Sequence, residues 1–255
     1  MKKEHNTYTK DGYGKDIILG AVSEKDQIMM EWEQEYMQKC VRKLNPFGDV
    51  LEVGFGLAYS ASEIQKHNIN SHTIIECDPE GYRKALEWAK KQKHKTEIVF
   101  GEWQNVYKTL GNFDCFFFDP YPSYYVKEYD LDLHDVQDKI NILSVSEAYN
   151  YPQLYYMYDM FSANLSFISE MLKYNSNDFA KFSFYCVEPI GFNCDEYYRG
   201  NLFHQNPNFS TKFEMNVFDR KKVADNCIYV DNLSEVTIPL LEVEKLDRIY
   251  YPSSY

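Results

Sequence analysis

The segment Asp49-Val50-Leu51-Glu52-Val53-Gly54-Phe55-Gly56 constrains this chain more than any other. A short apolar run containing β-branched residues reads as a buried strand, and the two glycines send it into a tight turn. The pattern then repeats. Residues 59–66 have helical spacing, 72–76 read as a strand, 80–91 as a helix and 96–100 as a strand. A turn and short helix over 101–110 lead to the apolar strand 113–118, which stops at Asp119-Pro120-Tyr121-Pro122. Strands alternating with helices at this cadence predict an α/β fold, a mostly parallel sheet covered on both faces.

The flanking segments fit around that sheet. Residues 1–22 are a polar arm ending in Ile17-Ile18-Leu19. A helix is predicted from Ser23 to Leu44, with Ile28, Met29, Trp32, Tyr36, Met37 and Cys40 recurring at helical spacing, and Asn45-Pro46-Phe47-Gly48 ends it. Residues 123–160, rich in Tyr, Asp and Asn, read as an insertion with weak helical signals at 136–143. A helix over 161–173 returns to a strand over 179–186. Strands over 211–218 and 237–243 read as an antiparallel edge pair, with 226–230 a further candidate. No repeat or linker divides the chain. The expectation is one domain over 1–255, with an N-terminal arm and helix (1–44) and the insertion 123–160.

Charge narrows the partners. The 255 residues carry 27 Lys+Arg against 39 Asp+Glu, a net charge of −12, which argues against a general grip on nucleic acid. No stretch reaches the roughly 18 apolar residues of a membrane span. The polar start, Met1-Lys2-Lys3-Glu4, leads to no apolar run, so a signal peptide is not expected. The six cysteines lack metal-ligand spacing, and Cys77 and Cys115 read as small buried thiols. These features predict a cytoplasmic protein with no metal, no membrane and no nucleic-acid partner, and they leave a homodimer open. With 23 Tyr and 17 Phe, the chain has either an aromatic-lined surface or a compositional bias.

The chemistry gathers at strand ends. Gly54 and Gly56 close the first strand, where open α/β sheets bind ligands. Glu76 ends the second strand, 20 residues past Gly56, a place from which a carboxylate accepts the hydroxyls of a ribose. The alternative is that the glycines only turn the chain and Glu76 is exposed. Two features favour S-adenosylmethionine over a dinucleotide: an acid, Glu52, precedes the glycines and suits an amino-bearing ligand, and Ala58 stands where a third glycine would hold a pyrophosphate. Asp119, among Phe116, Phe117, Phe118 and Tyr121, is the acceptor-side candidate or else a turn cap before Pro120. On the predicted helix, Met29, Trp32, Glu33 and Tyr36 share a flank. On residues alone, Glu33 reads as solvent-exposed beside a core Trp32.

These segments, in order and spacing, resemble the guanidinoacetate N-methyltransferase family. The resemblance rests on Ile28-Met29-Met30-Glu31-Trp32-Glu33, Val50 to Gly56, Ile74-Ile75-Glu76-Cys77, Gly101-Glu102-Trp103, Asp119-Pro120-Tyr121-Pro122 and Val236 to Leu241. It implies a Rossmann-like class I methyltransferase sheet using S-adenosylmethionine. It further implies that Asp119 and Glu33 hold a small guanidino substrate, with Asp119 taking the proton. Met29, Glu52, Gly54, Gly56, Glu76, Glu102 and Trp103 would hold the cofactor. Guanidinoacetate is the expected substrate, giving creatine. Free or peptide arginine is the alternative, as is a binding protein on a degenerate fold. Three departures qualify the likeness: Pro120 stands where the family has Thr, the insertion is longer, and Val187-Glu188-Pro189-Ile190-Gly191 replaces the turn that grips the substrate carboxylate.

Overall fold

The computed structural model describes residues 5–21, 27–120, 152–188, 208–218, 223, 225–227 and 235–246. The predicted insertion falls mostly outside these residues, as do Cys194 and the turn at 189–191.

The apolar cadence of residues 48–118 produces the expected sheet. Strands β4 (Gly48–Val53), β5 (Ile69–Glu76), β6 (Lys95–Phe100), β7 (Cys115–Phe118) and β8 (Phe179–Phe184) run parallel. Strand β11 (Glu235–Lys245) lies antiparallel between β8 and β10 (Phe209–Phe218), and β9 (Cys186–Glu188) also pairs with β11. The order across the sheet is β10-β11-β8-β7-β4-β5-β6. The chain leaves β4 toward β5 on one side and meets β7 on the other, so the seam between β4 and β7 is the topological switch point, where such sheets bind ligands. The predicted edge pair forms with one refinement: β10 is the edge and β11 lies inside. Pro239 is tolerated on an inner strand because it falls between the β8 and β9 ladders, where its missing N–H has no acceptor to serve. Asn226 lies in a turn.

Alternation along the strands sends side chains to opposite faces. Leu51, Val53, Phe116, Phe118, Phe182 and Phe184 pack with Phe167, Ile168 and Met171 of α5 (Pro152–Tyr174). The Phe116–Phe182 and Phe118–Phe167 rings stack at 4.5 and 4.1 Å. Helix α5 begins nine residues before the predicted start at 161. Val50, Cys115 and Phe117 face Tyr36, Met37, Cys40 and Val41 of α1 (Glu33–Leu44). Helices α2 (Tyr59–Ile64) and α3 (Pro79–Ala89) cover β4 and β5 through Phe55, Ala61, Ile74 and Ala85. Helix α4 (Trp103–Val106) and a 3-10 turn follow β6.

The N-terminal region departs from expectation. Strands β1 (Thr7–Lys10), β2 (Asp16–Leu19) and β3 (Gln27–Met30) form a separate antiparallel sheet, so Ile28 and Met29 lie on a strand and not on the predicted helix. Ile17 and Ile18 pair with Met30 and Met29, and all four are buried. Tertiary pairing of two apolar runs here overrides helical spacing. The helix proper starts at Glu33, whose carboxylate reaches back to accept the Met30 N–H at 2.8 Å and ties the helix to the end of β3. Cys77 is exposed, against expectation, because it falls just past the end of β5; Cys115 is buried as predicted.

Candidate functional site

The carboxyl ends of β4, β5 and β7 converge on one cleft-forming edge, and backbone geometry fixes each of them. Gly54 has φ +89° and donates its N–H to Ile75 O at 2.9 Å. A Cβ there would stand 2.3 Å from the Asp119 carbonyl oxygen, so only glycine lets the β4 turn pass beneath the end of β7. Asp119 in turn donates its N–H to Val53 O at 3.0 Å, which extends the β4–β7 ladder by one rung. Gly56, at φ +52°, leaves room for Met29, whose Sδ would lie 2.5 Å from an added Cβ and accepts the Leu57 N–H at 3.2 Å. Met29 thus reaches the glycine loop from a strand, the position its sequence context had assigned to a helix.

Glu76 is buried and fully engaged. Its Oε2 accepts the Phe55 N–H at 2.9 Å and its Oε1 the Asp78 N–H at 2.8 Å. Burial raises its pKa and these backbone donors work against that shift. Each oxygen keeps a second lone pair that can accept a hydroxyl proton. The N-terminal sheet lies close by: the Tyr8 oxygen and the Glu76 carboxyl carbon both sit 3.0 Å from where a Gly81 Cβ would be. Burial and the neighbouring Glu76 push the Tyr8 hydroxyl pKa up. Asp78 caps α3 through the Gly81 N–H at 2.8 Å and holds the Asn6 N–H on its other oxygen, also at 2.8 Å.

Glu52 is the opposite case. It is 0% exposed, and neither carboxylate oxygen has a hydrogen-bond partner among the described residues. His72 Nε2 lies 2.9 Å from Glu52 Oε2, an ion-pair separation whose alignment falls short of a hydrogen bond. Asp119 is partly buried, and its pKa is pushed up to about 7, first by burial and then by the Glu52 charge. A carboxyl with that pKa is poised to take up a proton at neutral pH. Cys40, on α1, is also close enough for Asp119 to raise its thiol pKa, although burial is the larger cause.

Glu33 is 3% exposed, which corrects its solvent-facing reading, while Trp32 is only half-buried. Glu33 stands three, four and seven residues before Tyr36, Met37 and Cys40, which puts it on the inner face of α1, where its carboxylate accepts the Met30 N–H. Tyr59 lies within the electrostatic reach of Glu33, so Glu33 belongs to the α1–α2 side of the site. Glu102 accepts from Asn105 Nδ2 at 3.2 Å and is exposed. Trp103 is sunk in the aromatic core against Tyr107, Phe118 and Phe167. Sequence reasoning passed over His72, Tyr8 and Asp78. Only Asp78-Pro79 carried a local signal, a cap followed by proline at the first helical position.

The arrangement fits S-adenosylmethionine on three counts. The Glu52 oxygens, without a hydrogen bond among the described residues, suit an ammonium, the left-handed Gly54 and Gly56 shape the loop at the switch point, and Glu76 retains lone pairs for a ribose. No group of three or more metal-ligating side chains occurs among the described residues, nor does a helix long and apolar enough to cross a membrane.

Similarity to known proteins agrees. Protein arginine N-methyltransferase 2 of Candida glabrata is 33% identical over 138 residues, spanning 50% of this chain and 33% of that protein. Its Yarrowia lipolytica counterpart is 30% identical over 134 residues, 48% of this chain and 27% of that protein. The chain thus matches about a third or less of these relatives' lengths. The crystal structure of M. jannaschii TYW2 in complex with AdoMet superposes with a TM-score of 0.53 at 12% identity, covering 96% of this chain and 89% of that one, a likeness of fold. Residues 11–182, well over half the chain, match the guanidinoacetate N-methyltransferase family. The chain belongs to the guanidinoacetate N-methyltransferase family.

Proposed function

We propose that the protein methylates a nitrogen of a guanidino group, with guanidinoacetate as the lead substrate and creatine as the product. The observation that carries this reading is Asp119, a partly buried carboxyl at the switch point with its pKa raised to about 7 beside the charge of Glu52. A site with two acids and few compensating charges favours a cation, and a guanidinium meets carboxylates in fork geometry.

Bound over the β4 turn, S-adenosylmethionine supplies an electrophilic methyl on a sulfonium. Glu52 faces its ammonium, Glu76 its ribose hydroxyls, and Gly54 and Gly56 allow the backbone to approach. Met29 supports the glycine loop. Glu102 and Trp103 belong to the adenine side, Trp103 by backing it from the core. On the acceptor side Glu33 and Asp119 hold the guanidinium and fix the line of attack. As the nitrogen–carbon bond forms and the methyl carbon–sulfur bond breaks to leave S-adenosylhomocysteine, Asp119 would accept the proton that the attacking nitrogen sheds. Glu33, with one oxygen committed to the Met30 N–H, acts as a fixed anion.

A second reading, methylation of free or peptide arginine, is favoured by the names of the curated relatives and by Glu188 and Pro189 in the sequence. Pro189 has no N–H to offer a substrate carboxylate, and free or internal peptide arginine has no carboxylate as near its guanidine as guanidinoacetate has. The test is a methyl-transfer screen with guanidinoacetate, free arginine and an arginine-containing peptide, read by S-adenosylhomocysteine release and product mass. Turnover of guanidinoacetate above the other two is expected. Turnover of arginine alone selects the second reading, and no turnover of any guanidine by protein that binds the cofactor overturns both.

A further inference from the structure

His72 is a fully buried imidazole that the mechanism above does not use, and the residues behind it fix its proton. The backbone N–H of His94 reaches Gln65 Oε1 at 3.2 Å. A backbone amide only donates, so the atom it meets is the Gln65 oxygen, and the Gln65 nitrogen must face the other way. That nitrogen contacts Thr96 Oγ1 at 3.0 Å and His72 Nδ1 at 3.3 Å. The Thr96 hydroxyl donates to His94 O at 2.9 Å, which leaves its oxygen free to accept. Gln65 Nε2 therefore donates on both sides, His72 Nδ1 accepts, and the imidazole proton resides on Nε2, facing Glu52 Oε2 at 2.9 Å. Trp88 closes the remaining side, edge-on to the imidazole at 6.2 Å between centroids.

We propose that His72 is a positioning residue for the cofactor: its Nε2–H, held in that tautomer by Gln65, aims the Glu52 carboxylate at the ammonium of S-adenosylmethionine. The reading rests on Glu52 as a cofactor contact. The imperfect alignment of the pair fits a carboxylate with two claimants, which swings into line when a cation takes its other oxygen. A run of polar contacts that starts at His94, ahead of β6, thus passes through Gln65 and His72 to Glu52 on β4, two strands away.

The test is calorimetric binding of S-adenosylmethionine to the full chain, with KM and kcat from the same variants. Removing the partner that orients a metal-binding side chain typically weakens metal affinity about 10–100-fold, and the lower end of that scale is taken for a carboxylate that holds an ammonium. We expect His72→Leu to raise the cofactor Kd about tenfold, with kcat at saturating cofactor changed less than about threefold. His72→Gln keeps a donor at the Nε2 position and should restore binding to within about threefold of the parent. Adding His72→Leu to Glu52→Gln should weaken binding no further than Glu52→Gln alone, since the two act as a unit. Wild-type affinity in His72→Leu, or additive losses in the double variant, overturns the proposal while leaving Glu52 as a cofactor contact. Wild-type affinity in Glu52→Gln instead overturns the reading beneath it. If His72→Leu does not fold, Gln65→Leu, which frees the tautomer, decides: weakened cofactor binding supports the proposal and unchanged binding overturns it.

Discussion

Two buried acids at the same edge of one sheet are treated in opposite ways. At the end of β5, Glu76 has a backbone N–H on each oxygen, a capped helix beside it and the N-terminal sheet packed across it. At the β4–β7 seam, Glu52 has no hydrogen bond among the described residues, and its charge raises the pKa of Asp119. The first neighbourhood has its backbone donors in place, as suits the neutral sugar proposed for it. The second carries unbalanced negative charge in a low-dielectric place, an arrangement that becomes favourable when cations arrive.

That contrast can be broken at its two ends. Asp119→Asn should lower kcat by about 10²–10⁴-fold with cofactor affinity nearly unchanged, measured by turnover and calorimetry side by side. Equal turnover would remove Asp119 as the base. Glu76→Ala should do the reverse, weakening cofactor binding by about 10–100-fold, since it strips a ligand contact and leaves the Phe55 and Asp78 N–H groups without their acceptor. A smaller effect appears in pH profiles. Asp119 must be ionised to accept a proton, so kcat/KM should rise with pH through about 7, and Glu52→Gln at saturating cofactor should move that limb to lower pH. The smallest effect is on stability. A carboxyl whose folded pKa is raised contributes fully below its unfolded pKa, and the contribution is lost as pH rises through about 7. Without ligands at pH 8, Asp119→Asn should therefore be more stable than the parent by about 1 kcal/mol, roughly 2–4 °C in Tm.

The parallel sheet was legible because its signals are local: an apolar strand, a glycine turn and an acid at each strand end. Gly54, Gly56, Glu52, Glu76 and Asp119 all fall at the edge where the cadence placed them. The N-terminal region was not legible, because Ile28-Met29-Met30 carries both periods and only its pairing partner, Ile17-Ile18 some eleven residues earlier, decides between strand and helix. The burial of Glu33 follows from its spacing to Tyr36, Met37 and Cys40 on the inner face of α1, against what its charge alone suggests. His72 escaped notice for a different reason. A histidine within a strand says nothing by itself; its meaning comes from Gln65, seven residues before it, whose amide is in turn oriented by the His94 N–H.

Asp78 serves the first turn of α3 with one oxygen and the Asn6 amide with the other. A single carboxylate thus clamps two pieces of chain 72 positions apart. Any loosening of that helix turn releases the amide, and any peeling of the arm leaves the helix cap with a freer side chain. The exchange rate of the Asn6 amide proton with solvent is therefore a built-in gauge of order around Glu76, readable in solution without labelling the site itself.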